Sequence, residues 1–345
     1  MLIDQQAGGV ASVTVSGIPP DTKQRYILGN LMEEAWASSQ LEGAATTRRV
    51  AKDMLRSGRE PASRGERMIL NNYRAIRTIA GLLDQPVTPT MLLTLQAFLT
   101  EDTLKNPEDV GRFRRPGEDI VVGDDSGQVV HIPPSADRLS DELGRLCEFA
   151  NAESASFVHP VIKACLLHFW LAYLHPFCDG NGRTARALFY LCMLKQGYRL
   201  MEYIAISRVI LRHRSSYERA FLYSETGDAD CTYFLSFHLK ALEQALEELW
   251  DYIDRKDAED KALRAQLQKE EELNHRQRAV LTRALRDDAS RFTIESHKAS
   301  HGVSYGTARN DLLDLGRRGY LSQRREGRRT YVFSPSPRIR DHLSH

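Results

Sequence analysis

Between His175 and Arg186 the sequence reads HPFCDGNGRTAR, which gathers an imidazole, a carboxylate, two glycines and two guanidiniums into one short stretch. Each residue type suits work on a phosphate chain. His175 is the one nearby group whose ordinary pKa lets it take a proton near neutrality. Asp179 offers the oxygen that a hard cation between phosphates needs. Gly180 and Gly182 let the backbone come close to a ligand, and a helix that follows presents free N–H groups to an anion. Arg183 and Arg186 stand three apart, share a helix face and can clamp successive phosphates. Together these residues point to Mg-nucleotide chemistry. A lone Gly-Asn-Gly also makes an ordinary turn, and two arginines an ordinary solvated face; the combination outweighs both readings.

Helices must position these groups, because apolar periodicity and caps predict helices almost throughout. The expected spans are 26–40, 46–55, 67–83, 89–99, 141–151, 161–174, 184–196, 215–225 and 232–252. Thr88 followed by Pro89 marks one start, and Gly197 one end. Residues 119–132 break the habit. Ile120, Val121 and Val122, then Val129 and Val130, flank a Gly-containing turn, which predicts a β-hairpin. The densely charged 251–273 reads as a solvated connecting helix. Beyond it, 276–287, 293–301 and 304–315 predict three helices, and two short strands around a basic turn at 324–329 complete the pattern of a winged helix-turn-helix. The expected fold is all-α with a small hairpin, plus a C-terminal winged helix-turn-helix. The expected segments are 1–87, 88–250, 251–274 and 275–345.

A chain of 345 residues exceeds one ordinary core. Its net charge of +1 hides an asymmetry: 275–345 carries 15 Lys/Arg against 7 Asp/Glu. The first twenty residues lack the pattern of a secretory leader. No run approaches the roughly 18 apolar residues of a membrane span. Cys147, Cys165, Cys178, Cys192 and Cys231 are scattered, with no C-x-x-C pair, and read as reduced thiols without a zinc site. A cytoplasmic protein with no membrane partner is expected.

The 175–186 stretch matches, at every defined position, the signature H-P-F-x-[D/E]-G-N-G-R-x-x-R. It thereby resembles the Fic (filamentation induced by cAMP) family of protein adenylyltransferases. His159, Pro160 and His168 upstream, and Ser207, Tyr217 and Gly227-Asp228 downstream, extend the resemblance over 88–248. On their own, His159 and His168 read as capping or packing residues, and Cys178 falls at a variable position.

The resemblance implies a mainly helical Fic core that transfers AMP from Mg-ATP to a Ser, Thr or Tyr hydroxyl of a target protein, or of the chain itself. His175 would deprotonate the hydroxyl for in-line attack on the α-phosphorus, with pyrophosphate leaving. Asp179 would hold Mg2+. Asn181, with the Gly180 and Gly182 backbone, would form an anion hole. Arg183 would hold the β-phosphate and Arg186 the γ-phosphate, while Phe177 packs inward and fixes the loop. The 119–132 hairpin would be the target-docking flap, and the adenine is expected near Tyr203 and Tyr217.

Ser38, Glu42 and Gly43 resemble the family's inhibitory motif. Glu42 against Arg186 would occupy the guanidinium meant for the γ-phosphate and seat the α-phosphate badly for attack. The leading expectation is an autoinhibited adenylyltransferase. Two alternatives stand beside it: removal of AMP by the same site, with Glu42 orienting water, and a DNA-binding regulator with a nucleotide-sensing domain. In the latter, Arg309 and 324–329 would meet DNA phosphates. A homodimer is also compatible with the sequence.

Overall fold

The structure, a computed structural model, describes residues 3–4, 20–123, 127–152, 157–226, 230–270, 272–286, 290–326 and 330–339. The chain divides into two compact units, Met1–Trp250 and Asp251–His345. Helices dominate both. Among the described residues no helix is long and apolar enough to cross a membrane.

The first unit is built from α1 (Pro20–Leu41), α2 (Arg48–Ser57), α3 (Arg64–Ile79), α4 (Pro89–Thr100), α5 (Leu139–Asn151), α6 (Pro160–Leu174), α7 (Asn181–Lys195), α8 (Ile206–Arg212) and α9 (Arg214–Thr226), with the start of α10 (Thr232–Lys269). Local chemistry sets several boundaries. The Thr47 hydroxyl accepts from the Val50 N–H, Ser63 from Glu66, and Thr88 from Met91 with Pro89 at the first helical position. Gly58 ends α2 in the left-handed conformation.

α6 and α7 pack against each other at the centre, and α7 also meets α3 and α4. Most of α7 is buried on every side, as a helix in the middle of a core must be. Met32, Ala35, Ala51, Met54, Ile69 and Tyr73 join α1, α2 and α3. On the other flank His168, Phe169, Tyr217, Phe221, Phe234 and His238 form an aromatic cluster, with the Phe234 and His238 rings 4.2 Å apart. Burial pushes the His238 imidazole down to about 3 and His168 well below its ordinary value. Both are neutral packing histidines.

Three departures from the sequence expectations stand out among the described residues. α7 starts at Asn181 rather than 184, because Gly180 takes up the N-cap position with φ 87° and needs no side-chain cap. A 3₁₀ turn at Arg199–Tyr203 and the helix α8 were not anticipated. The charged stretch after 251 is no separate element, since α10 runs unbroken to Lys269.

The hairpin is shorter than expected. β1 (Val122–Gly123) pairs antiparallel with β2 (Val129–His131), Val122 opposite His131 and Gly123 opposite Val129, with an irregularity between. Ile120 and Val121 precede the ladder, and the turn residues 124–126 lie outside the described residues.

In the second unit, α11 (His275–Arg286), α12 (Ile294–His301) and α13 (Tyr305–Arg317) accompany a three-stranded antiparallel sheet. Its order is β3 (Phe292–Thr293), β5 (Thr330–Pro335), β4 (Leu321–Glu326), one strand more than expected. Thr293 and Ser296 form a capping box at the start of α12, Gly302 ends it, and Ser304 caps α13. Leu281, Phe292, Leu312, Leu315 and Phe333 lie in the core. Buried Asp311 is held by Arg276, Asn274 and His297. Arg324 and Arg325 lie exposed on β4, while 327–329 are outside the described residues.

Candidate functional site

The site begins where α6 runs out of helix. His175 takes the left-handed conformation, φ 45°, and its backbone N–H closes the helix on Leu171 O. Its Nδ1 lies 3.0 Å from Ala172 O. A carbonyl can only accept, so Nδ1 carries the proton and Nε2 keeps the lone pair. Burial lowers the His175 pKa, with Arg114 and His131 nearby acting in the same direction; the Ala172 carbonyl and Glu42 oppose it. The ring is therefore a neutral base near physiological pH.

Arg114 holds the loop from behind. Its guanidinium donates to His175 O at 2.9 Å, to Leu174 O at 3.2 Å and to Pro134 O, and its backbone N–H meets Pro176 O at 2.9 Å. Phe177 is fully buried and stacks on Phe113, centroids 5.3 Å apart. Asn181 fastens the loop across its waist: Oδ1 accepts from Phe177 N–H at 2.9 Å and Nδ2 donates to Phe177 O at 2.8 Å. Its side chain is thus spent on the loop, and what it offers an anion is its backbone N–H. At Gly180 an added Cβ would meet Thr100 Cγ2 at 2.6 Å, so α4 presses directly on the turn.

Asp179 remains 40% exposed. Its Oδ1 accepts from Gly180 N–H, and longer contacts run to Arg183 (3.4 Å) and Arg64 (3.3 Å). Arg183 is wholly buried and donates to Leu99 O at 2.7 Å, while its Nε has no partner among the described residues.

The residues 38–43, at the end of α1, reach the same place. Arg186 Nη2 donates to Glu42 Oε1 at 3.0 Å across 144 residues of sequence. Arg186 also gives Nε to Ser38 Oγ and Nη2 to Ser38 O, both at 2.9 Å. Gly43 follows in the left-handed region, φ 82°, where the chain turns after α1. Burial works to raise the Glu42 pKa, yet Arg186 and Arg183 carry it below the usual carboxylate range. Glu42 lies over Gly182, where a Cβ would come within 2.2 Å of Oε1.

Of the remaining expected residues, Val121, Val129 and Val130 are exposed. Tyr203 and Tyr217 are both buried, and the Tyr217 hydroxyl lies 3.0 Å from His168 Nε2. Ser207 bonds Glu34, and Gly227-Asp228 lie outside the described residues. His159 caps α6, accepting from Val161 N–H. The Cys178 thiol is pushed up to about 11, first by burial and then by Asp109 and Glu118.

Two participants escaped the sequence reading. Arg114 gave no signal beyond its type. Glu34 is buried and accepts from Ser207 N–H and Tyr190 OH, both at 2.8 Å; burial raises its pKa. Its one trace was a carboxylate on the apolar face of α1.

Residues 86–193 match the family model described as Fic/DOC family. A protein adenylyltransferase Fic from Nematostella vectensis is 22% identical over 256 residues, covering 71% of this chain and 54% of that protein. One from Culex quinquefasciatus is 34% identical over 137 residues, 37% of this chain and 24% of the relative. The chain thus spans about half or less of the curated relatives it matches. A solved Fic family protein from Desulfovibrio desulfuricans superposes with TM-score 0.62 at 20% identity, over 97% of this chain and 93% of that one. Fic-1 from C. elegans gives 0.54 at 21%, over 66% and 64%. At these identities the structural likeness is one of fold. With the motif, the family match and the fold in agreement, this chain carries a Fic/DOC-family domain over residues 86–193.

Proposed function

We propose that the protein is an autoinhibited adenylyltransferase, which moves AMP from ATP to a hydroxyl of a protein and releases pyrophosphate. The observation that carries this reading is the 3.0 Å contact of Glu42 with Arg186, beside a base and a carboxylate that suit nucleotide chemistry. His175 Nε2 takes the proton of the attacking hydroxyl. The hydroxyl oxygen bonds to the α-phosphorus as the bond to the β-phosphate oxygen breaks. Free N–H groups in the first turn of α7, with Arg183 and Arg186, receive the phosphate charge.

Asp179 fits a magnesium ion: its carboxylate is half-exposed, and magnesium asks for one or two protein carboxylates beside substrate phosphates. When bound, the ion would supply charge neutralisation to the phosphates. Glu42 acts as the brake by holding the guanidinium that a terminal phosphate needs. The leading test is labelling with α-³²P-ATP of wild type, Glu42→Gly and Glu42→Gly/His175→Ala. Label should rise in the first variant and vanish in the second. Labelling of Glu42→Gly no stronger than wild type, with ATP binding intact, would sink the brake.

The C-terminal unit supports a second role, DNA contact. Tyr305, Arg309 and Asn310 are exposed at the start of α13, and Arg324 and Arg325 on β4. Such binding would weaken steeply with salt, and salt-independent retention on duplex DNA would count against it.

A further inference from the structure

The last turn of a helix leaves carbonyls without intrahelical partners, and each needs a donor. In α6 all four have one. Leu171 O takes the His175 backbone N–H, Ala172 O the His175 Nδ1–H, Leu174 O the Arg114 guanidinium, and Tyr173 O the ring of His131. The fourth donor comes from the hairpin. His131 Nε2 lies 2.8 Å from Tyr173 O, and its Nδ1 lies 2.7 Å from Glu225 Oε2 on α9. The two side chains of that pair are only 9% and 12% exposed.

A carbonyl can only accept, and so can an ionised carboxylate. A neutral imidazole has one N–H and cannot satisfy both partners. Two protonated nitrogens can, and the resulting cation sits at a helix C-terminus, where the macrodipole favours positive charge. We propose that His131 is a positioning residue: its imidazolium ties the hairpin to α9 and to the end of α6, and so holds His175 in its working place. This deepens the transfer reading above and rests on it for the catalytic consequence.

The charged and titratable groups facing His131 are Glu225 on α9, Arg114 in the segment before the hairpin, Tyr173 on α6 with its ring 5.1 Å away, and His175. Burial and Arg114 act against the imidazolium; Glu225 and the Tyr173 carbonyl outweigh them and leave the pKa raised. The sign follows. A raised pKa means that the contact is complete below the group's ordinary value and is lost as pH rises through the folded one. The base and the latch then set opposite limbs. Activity rises with pH as His175 loses its proton and falls again as His131 loses one.

The test uses the full chain with ring-¹⁵N-labelled histidine, as wild type and Glu225→Gln, together with AMP labelling against pH in the Glu42→Gly background. In wild type both ring nitrogens of His131 should carry protons at neutral pH, and the His175 resonances should respond as His131 titrates. In Glu225→Gln the His131 titration and the alkaline limb of labelling should both move down by about one pH unit or more. A neutral His131 at neutral pH, or an alkaline limb that does not move in Glu225→Gln, overturns the proposal. His131→Asn should abolish the His131-linked limb, and Glu225→Gln answers the question if that variant folds poorly. Absence of label in every variant, with His131 doubly protonated and coupled to His175, supports the latch and counts against AMP transfer.

Discussion

In the loop from His175 to Arg186, polar groups are held from several sides: Asn181 grips both backbone groups of Phe177, Arg114 collects the carbonyls behind it, and Phe177 is fully buried. The hairpin beside it has two short strands, and Val121, Val129 and Ile132 are 53%, 47% and 74% exposed. On the proposed reading the two regions answer different demands. Reacting atoms must be held to within fractions of an ångström, which takes over-determined contacts. A surface that docks an extended peptide gains more from free edges and accessible apolar side chains.

That contrast can be broken by mutation. The largest effect is expected for Phe177→Ala, which empties a packed site under the loop and should cost about 3–5 kcal/mol in denaturant unfolding. A cost below 1 kcal/mol would remove the claim that the loop is pinned. Next comes Glu42→Gln. The Glu42 carboxyl is held below its ordinary value, so its contribution is present above the unfolded pKa and is lost as pH falls through the folded one. Wild type should exceed the variant by about 1–2 kcal/mol at neutral pH, and the gap should close in acid. A gap independent of pH would show that the pair does not depend on charge. The smallest effect is Val129→Ser, which should change stability by no more than about 0.5 kcal/mol yet reduce labelling of a protein target in the Glu42→Gly background. A loss of stability with labelling preserved would invert the comparison.

The parts legible in the sequence were those written locally. Thr88-Pro89, Thr293 and Ser304 announce helix starts through their own side chains. The 175–186 stretch was legible for the same reason, because its residue types are contiguous in the sequence. Contacts made across the chain were not. Arg114 serves a loop about 60 residues away, and nothing near it in sequence says so. Glu34 was hidden because a carboxylate on an apolar face reads as surface until its partners Tyr190 and Ser207 are seen. α8 was missed for being short and buried along Ile206, Ser207, Val209 and Ile210, which leaves no period to read. The start of α7 was misjudged because Gly180 caps by backbone conformation alone.

Gly182 has a consequence of its own. The side chain it lacks would stand where the Glu42 carboxylate rests, 2.2 Å from Oε1 and 3.1 Å from Arg186 Nη1. On the proposed reading, the Arg186 guanidinium beside that hollow has two rival partners, a tethered carboxylate and a diffusing phosphate. The tether gives the first a fixed effective concentration, whereas the second varies with the nucleotide pool. Their ratio then sets a threshold, so one absent methyl group would let the protein compare the nucleotide supply with a standard built into its own chain.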